Sequence, residues 1–201
     1  MAAGVPLVGL TGGLGAGKSE ALRALGELGA ATLSTDAVVH ELLATDGLRD
    51  IVVARLGDDV VRDGALDRSL IAERVFGDEE ARGWLEGELW PRVGQRMIEW
   101  RQEVDALDPP PRAAVVEVPL LFESGMEQAF DATIAVIADE DVRAERAGAR
   151  GHASVDERAG RQLSQKEKAQ KADYTVRNDG TLEELREKLS RVLARLDQPP
   201  P

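Results

Sequence analysis

The sequence contains no cysteine, which removes any disulfide framework from the sources of its stability. It also has no apolar run long enough to span a bilayer and no N-terminal signal pattern, so a cytoplasmic protein without a membrane partner is expected. Positive charge is in deficit: 25 Lys and Arg against 37 Asp and Glu give a net charge of -12. Such a surface argues against nucleic acid as a partner, because phosphate neutralisation needs a basic face, and any anionic substrate must therefore meet a local basic pocket. The only two histidines, His40 and His152, lack metal-ligand spacing, and there is no internal repeat. What remains is ordinary globular composition, 43% hydrophobic over 201 residues, enough for one compound domain with smaller lobes.

Against that background one stretch stands out. Gly12-Gly13-Leu14-Gly15-Ala16-Gly17-Lys18-Ser19 follows the apolar run Val5–Leu10 and precedes a helical pattern, the strand-loop-helix context that a phosphate-binding loop requires. The glycines let the backbone curl until successive N–H groups, including those of Gly13, Gly15, Ala16 and Gly17, converge on the β-phosphate of a nucleoside triphosphate. The helix that follows directs its positive end at the same anion. Lys18 is expected to bridge the β- and γ-phosphates, and the Ser19 hydroxyl to ligate Mg²⁺; Glu20 contributes only its backbone N–H.

Apolar and β-branched runs at Val5–Leu10, Ala31–Ser34, Ala113–Val118 and Thr133–Ala138, with a weaker one at Tyr174–Arg177, alternate with helical patterns. The helical stretches are Lys18–Leu28, Asp36–Ala44, Asp67–Phe76, Glu79–Leu107, Glu140–Ala149 and Leu182–Leu196. Thr181 and Glu184 have capping-box spacing, and Pro91 is expected to break or kink the long fourth helix. This alternation predicts an α/β protein of the phosphate-loop NTPase type, with a parallel five-stranded sheet flanked by helices. Residues 1–57, 109–144 and 173–201 then form the nucleotide-binding core, 58–108 a helical acceptor-binding insert, and the charged, apolar-poor stretch 145–172 a lid.

Several separated segments resemble, in order, one family of small-molecule kinases, the dephospho-CoA kinases. The segments are Gly9-Leu10-Thr11-Gly12-Gly13 with the rest of the loop, Asp36 after the second strand, Asp63-Gly64-Ala65-Leu66-Asp67-Arg68, and Val75-Phe76. Farther on come Val118-Pro119-Leu120-Leu121-Phe122-Glu123, Arg146, Arg150, Gln162, Ala172-Asp173 and Asn178-Asp179-Gly180. The resemblance implies ATP- and Mg²⁺-dependent phosphorylation of the ribose 3′-hydroxyl of dephospho-coenzyme A, the last step of coenzyme A biosynthesis, by a monomer or weak homo-oligomer.

Read against that reaction, Lys18, Asp36 and Arg146 are the expected catalytic residues, with Asp36 accepting the proton of the acceptor hydroxyl. Asp36 also stands where a helix cap would, and Arg146 and Arg150, four residues apart on one helical face, would equally suit a solvated, acid-bridged surface. The family role implied for the two arginines is contact with the triphosphate. Asn178 is expected to meet the adenine edge, although Asn before Asp-Gly is also a good turn former. Arg68, Pro119, Leu120 and Leu121 are the expected acceptor-binding residues; Glu123 would brace their loop, and Glu117 would hold a metal-bound water. For Leu66, Leu70, Phe76, Trp84, Leu85 and Leu89 core packing outweighs contact with the acceptor. Four positions depart from the family pattern: Ser34 for aspartate, Glu20 for a hydroxyl residue, Trp90 for histidine and Arg143 for glutamine. A kinase for another small alcohol would share the loop without needing the Pro119–Glu123 segment, and a guanine-nucleotide switch would need an Asn-Lys-x-Asp that is absent.

Overall fold

Val8 and Leu10 of the first strand, β1 (Leu7–Gly12), are completely buried on one face of the sheet, and the alternation of side chains along a strand sends Gly9 and Thr11 to the other. The computed structural model describes residues 4–148 and 162–196, and these form two compact units, the first from residues up to 34 and from 102 onward, the second from 35 to 101.

The first unit holds the sheet. β1 lies at its centre, with β2 (Ala31–Ser34), β5 (Ala114–Glu117), β6 (Ala132–Ile137) and β7 (Tyr174–Arg177) arranged in the order β2-β5-β1-β6-β7, every pair parallel. Parallel strands covered on both faces read as continuous apolar runs, and all four residues of β5 are buried. On one face, α1 (Lys18–Glu27) and the terminal α8 (Leu182–Leu196) supply Ala21, Leu25, Leu185, Leu189 and Leu193 to a core with Val8, Leu10, Val115, Ile134 and Val136. Thr181 and Glu184 form the reciprocal cap of α8: the Glu184 amide donates to Thr181 Oγ1 at 3.3 Å, and the Thr181 amide to Glu184 Oε2 at 3.2 Å. Completing this unit are α6 (Glu140–Gly148) and α7 (Gln165–Lys171).

The second unit is helical apart from one hairpin. Its helices are α2 (Thr35–Leu43), α3 (Asp46–Leu56), α4 (Arg68–Val75) and the long α5 (Glu79–Asp105), which runs on past the unit. Leu43, Leu48, Val52, Leu56, Val60, Ile71 and Ala81 make its core, with Leu66, Trp84, Leu85 and Leu89 packed against it. Phe76 is 65% exposed. Because α2 and α3 contribute to this core, the unit starts at residue 35, whereas the sequence pattern drew the insert from 58. The Asp-Gly-x-Leu-Asp-Arg segment acquires a local explanation. Asp63 and Gly64 both have positive φ, as a two-residue turn between β3 (Val61–Arg62) and β4 (Ala65–Leu66) requires. Asp67 then caps α4, accepting from the Ser69 amide at 2.8 Å and the Leu70 amide at 3.2 Å, and these bonds hold its carboxyl below the usual range.

Of the break or kink expected at Pro91, the break does not occur: α5 runs through the proline. A proline removes the amide bond to the residue four earlier and crowds its carbonyl. Here that residue is Gly87, and both positions are exposed, so the cost of the missing bond is not that of a buried orphan. Helix α3, helix α7 and the short hairpin carried no expectation from the pattern. Residues 149–161 of the expected lid, with Arg150 among them, lie outside the described residues.

Candidate nucleotide and phosphoryl-transfer site

The loop between β1 and α1 is curled around its own lysine. Lys18 Nζ donates to the Gly12 and Gly13 carbonyls, each at 3.1 Å, across the turn that the glycines allow. Gly17 has φ +88, and a Cβ there would meet Asn178 Nδ2 at 2.2 Å; Gly15 has φ +76, and its Cβ would lie 2.6 Å from the Arg143 carbonyl oxygen. Both conformation and close approach therefore exclude any other residue at these two positions. Gly17 is the N-cap of α1 and supplies no side-chain bond to the first turn, so its amides stay available to an anion. Within that turn the Glu20 carboxylate pairs with Arg23.

The neighbours of the loop fix its shape. Asn178, only 5% exposed, donates from Nδ2 to the Ala16 carbonyl at 3.0 Å, and its own amide donates to the Ile137 carbonyl at 2.8 Å where β6 ends. Helix α6 also reaches the loop: Arg146 Nη1 donates to the Asn178 carbonyl at 2.9 Å, and Arg143 Nε to the Leu14 carbonyl at 2.8 Å. Thus Gly13, Gly15, Ala16, Gly17, Lys18, Asn178 and Arg146 are brought together around the loop. The bracing of the loop by Asn178 and Arg143 is new, because hydrogen bonds to loop carbonyls leave no trace in residue spacing.

Beneath the loop lies a buried polar network. Lys168 of α7 has no solvent exposure; its Nζ donates to the Pro119 carbonyl at 2.6 Å, pairs with Glu123 Oε1 at 3.0 Å and lies 3.5 Å from Thr11 Oγ1. Burial pushes its ammonium pKa down while Glu123 opposes the shift. Glu123 Oε1 also accepts from the Leu163 amide at 2.8 Å, so Glu123 does brace its loop. The network ties the end of β1, the Pro119–Glu123 turn and α7 into one piece. Removing Lys168 alone strands the Glu123 carboxylate, and Lys168→Met is expected to lower unfolding free energy by about 3 kcal/mol, the scale for breaking a buried ion pair. Urea denaturation checks this; a loss below about 1 kcal/mol would assign the pair no structural weight.

The remaining expected residues are placed as follows. Ser19 is exposed on the first turn of α1. Pro119 and Leu120 are half-buried, whereas Leu121 is wholly buried over Gly9 as a core residue. Glu117, 4% exposed, sits in register with Leu10 of β1 and Ser34 of β2 at the carboxyl ends of the strands. Asp36 and Arg68 belong to the second unit, each exposed in the first turn of its helix. Ala172-Asp173 has a structural role: Asp173 Oδ2 accepts from the amide and hydroxyl of Thr133, clasping β6 to the start of β7. Among the described residues no cluster of three or more His, Asp or Glu side chains is built to hold a metal, and no helix is long and apolar enough to cross a membrane.

The dephospho-CoA kinase family model matches residues 6–184, a span that includes every one of these elements up to the start of α8. The chain belongs to the dephospho-CoA kinase family. A dephospho-CoA kinase from Protochlamydia amoebophila is 40% identical over 94% of this chain and 95% of its own length. The crystal structure of TT1252 from Thermus thermophilus superposes with a TM-score of 0.80 at 32% identity, covering 96% of this chain and 98% of that one. A dephospho-CoA kinase from Campylobacter jejuni, 23% identical, shares the fold with a TM-score of 0.64 over 95% of this chain and 97% of its own. Membership in the dephospho-CoA kinase family makes the chain an ATP-using kinase.

Proposed function

We propose that this chain transfers the γ-phosphoryl group of ATP to the 3′-hydroxyl of the ribose of dephospho-coenzyme A, releasing coenzyme A and ADP. The observation that carries the reading is the braced phosphate loop within a chain whose Pro119–Glu123 turn is fastened through Lys168 and Thr11 to the end of β1, from which the loop departs. In this transfer the 3′-oxygen bonds to the γ-phosphorus as the bridge to the β-phosphate breaks, and ADP leaves with the bridging oxygen. Asp36 takes the hydroxyl proton and orients the attacking oxygen. Lys18 neutralises charge on the β- and γ-oxygens, and the loop amides hold the β-phosphate.

The residues present suit Mg²⁺ only in company with the nucleotide: one hydroxyl, Ser19, and the strand-end carboxylate Glu117 acting through water, the rest of the shell coming from phosphate oxygens and solvent. When bound, the ion supplies charge compensation on the transferring group. Arg68 meets the phosphates of the acceptor, and Pro119 and Leu120 line its path while Leu121 anchors their turn from the core. Arg146 and Arg150 contribute positive charge to the triphosphate, and Asn178 serves the adenine side of the loop that it braces.

Arg146→Ala is expected to lower turnover by about tenfold or more while changing the KM for dephospho-CoA less than about threefold, since its charge matters most as the phosphoryl group loosens. Steady-state kinetics at saturating ATP measures both, and an unchanged turnover would return Arg146 to a purely structural role on the Asn178 carbonyl. The function itself is tested by a coupled ADP-release assay that compares dephospho-CoA with adenosine and other small alcohols. Preference for dephospho-CoA supports the reading; equal or better use of another alcohol overturns it.

A further inference from the structure

In a chain with 37 acidic residues, arginines close to the surface normally find a carboxylate, as Arg49, Arg55, Arg62, Arg92 and Arg177 do. Arg143 does not: among the described residues its side chain bonds only to the Leu14 carbonyl of the phosphate loop, through Nε at 2.8 Å. A Cβ built on Gly13 would stand 3.5 Å from each of Arg143 Cζ, Nε and Nη2, so the guanidinium lies flat over that glycine. Gly13 is also one of the two residues whose carbonyl holds the Lys18 ammonium, at 3.1 Å. Two cations of different elements therefore converge on one residue of the loop. The Leu14 bond occupies one corner of the rigid guanidinium fork and fixes its plane, leaving both Nη groups as charge-bearing donors.

We infer that Arg143 is a nucleotide-contacting residue whose Nη donors engage the γ-phosphate of ATP beside Lys18. The guanidinium thus packs in ordinary van der Waals contact against the loop at position 13, next to the carbonyl that holds Lys18. Glutamine, the residue that the family pattern puts at this position, would keep a donor for a carbonyl but carry no charge, so the arginine adds one full cation to the phosphate site of an acidic protein. The inference rests on the nucleotide half of the function proposed above and not on the identity of the acceptor.

The test measures binding of Mg²⁺·ATP and Mg²⁺·ADP by isothermal titration calorimetry, without acceptor, to the wild-type chain and to Arg143→Gln. Loss of a charge-assisted contact to the γ-phosphate alone is expected to weaken ATP about tenfold and ADP less than about threefold. Equal weakening of both nucleotides would reduce Arg143 to a loop brace, and no weakening of either would remove it from the site; both results overturn the inference. Should Arg143→Gln fail to fold by thermal melting, Arg143→Met, which keeps an unbranched side chain without charge or donors, is expected to show the same selective loss, ATP about tenfold and ADP less than about threefold. A ratio of ATP to ADP affinity within about threefold of wild type in the folded methionine variant would overturn the inference as well. Because neither ligand includes dephospho-CoA, failure here leaves the acceptor assay standing, and failure of the acceptor assay leaves this result standing.

Discussion

Lys18→Ala abolishes measurable turnover while the protein remains folded. The ammonium is held by the Gly12 and Gly13 carbonyls, within the loop and outside any apolar core, so its loss removes charge from the phosphate site without opening a cavity. The transition state should lose at least about 3 kcal/mol, the magnitude found when one preorganised donor is deleted from a developing charge. Far-ultraviolet circular dichroism and the thermal midpoint establish that the variant is folded, and ADP release then reports turnover. Wild-type turnover in a folded Lys18→Ala sample would defeat the assignment of the loop.

Asp36→Asn separates chemistry from binding. Asp36 is exposed in the first turn of α2, and asparagine there keeps the shape and much of the ability to support a helix start while losing the proton acceptor. Turnover with dephospho-CoA should fall by roughly a hundredfold or more, as expected when positioned general-base help is withdrawn, while Mg²⁺·ATP affinity survives. Calorimetry and steady-state rates on the same sample give both numbers. Unaffected turnover would make Asp36 a helix residue only; collapse of ATP binding would move it to the metal.

The sequence made the three central strands, β1, β5 and β6, legible because they are buried on both faces and read as nearly continuous apolar runs, whereas the partly buried edge strands β2 and β7 gave short or weak signals. The phosphate loop was legible for a different reason: Gly15 and Gly17, both at positive φ and directly ahead of Lys18-Ser19, mark a backbone that must curl tightly between a strand and a helix. What the pattern hid are interactions that cost one residue of no special type. Lys168 lies among four lysines or glutamines of a short helix, and nothing in that run distinguishes the one that is buried against Glu123. Arg143 looked only like a departure from a glutamine, yet it lies flat over Gly13. The break did not form at Pro91 because a proline's effect depends on the surroundings of the carbonyl four residues back, and Gly87, like Pro91, is exposed. The hairpin at Val61–Leu66 escaped notice because its strands have two residues each, too few to show alternation, although Asp63-Gly64 is a strong turn signal.

The reaction assigned to this chain places one new phosphate on one oxygen of one acceptor. The decisive measurement is therefore phosphorus nuclear magnetic resonance and mass spectrometry of the products formed from ATP and dephospho-CoA. One new phosphomonoester on the ribose 3′-oxygen, formed in step with ADP, is the predicted result. Release of ADP at the same rate with and without dephospho-CoA, or a phosphate attached elsewhere on the acceptor, would contradict it.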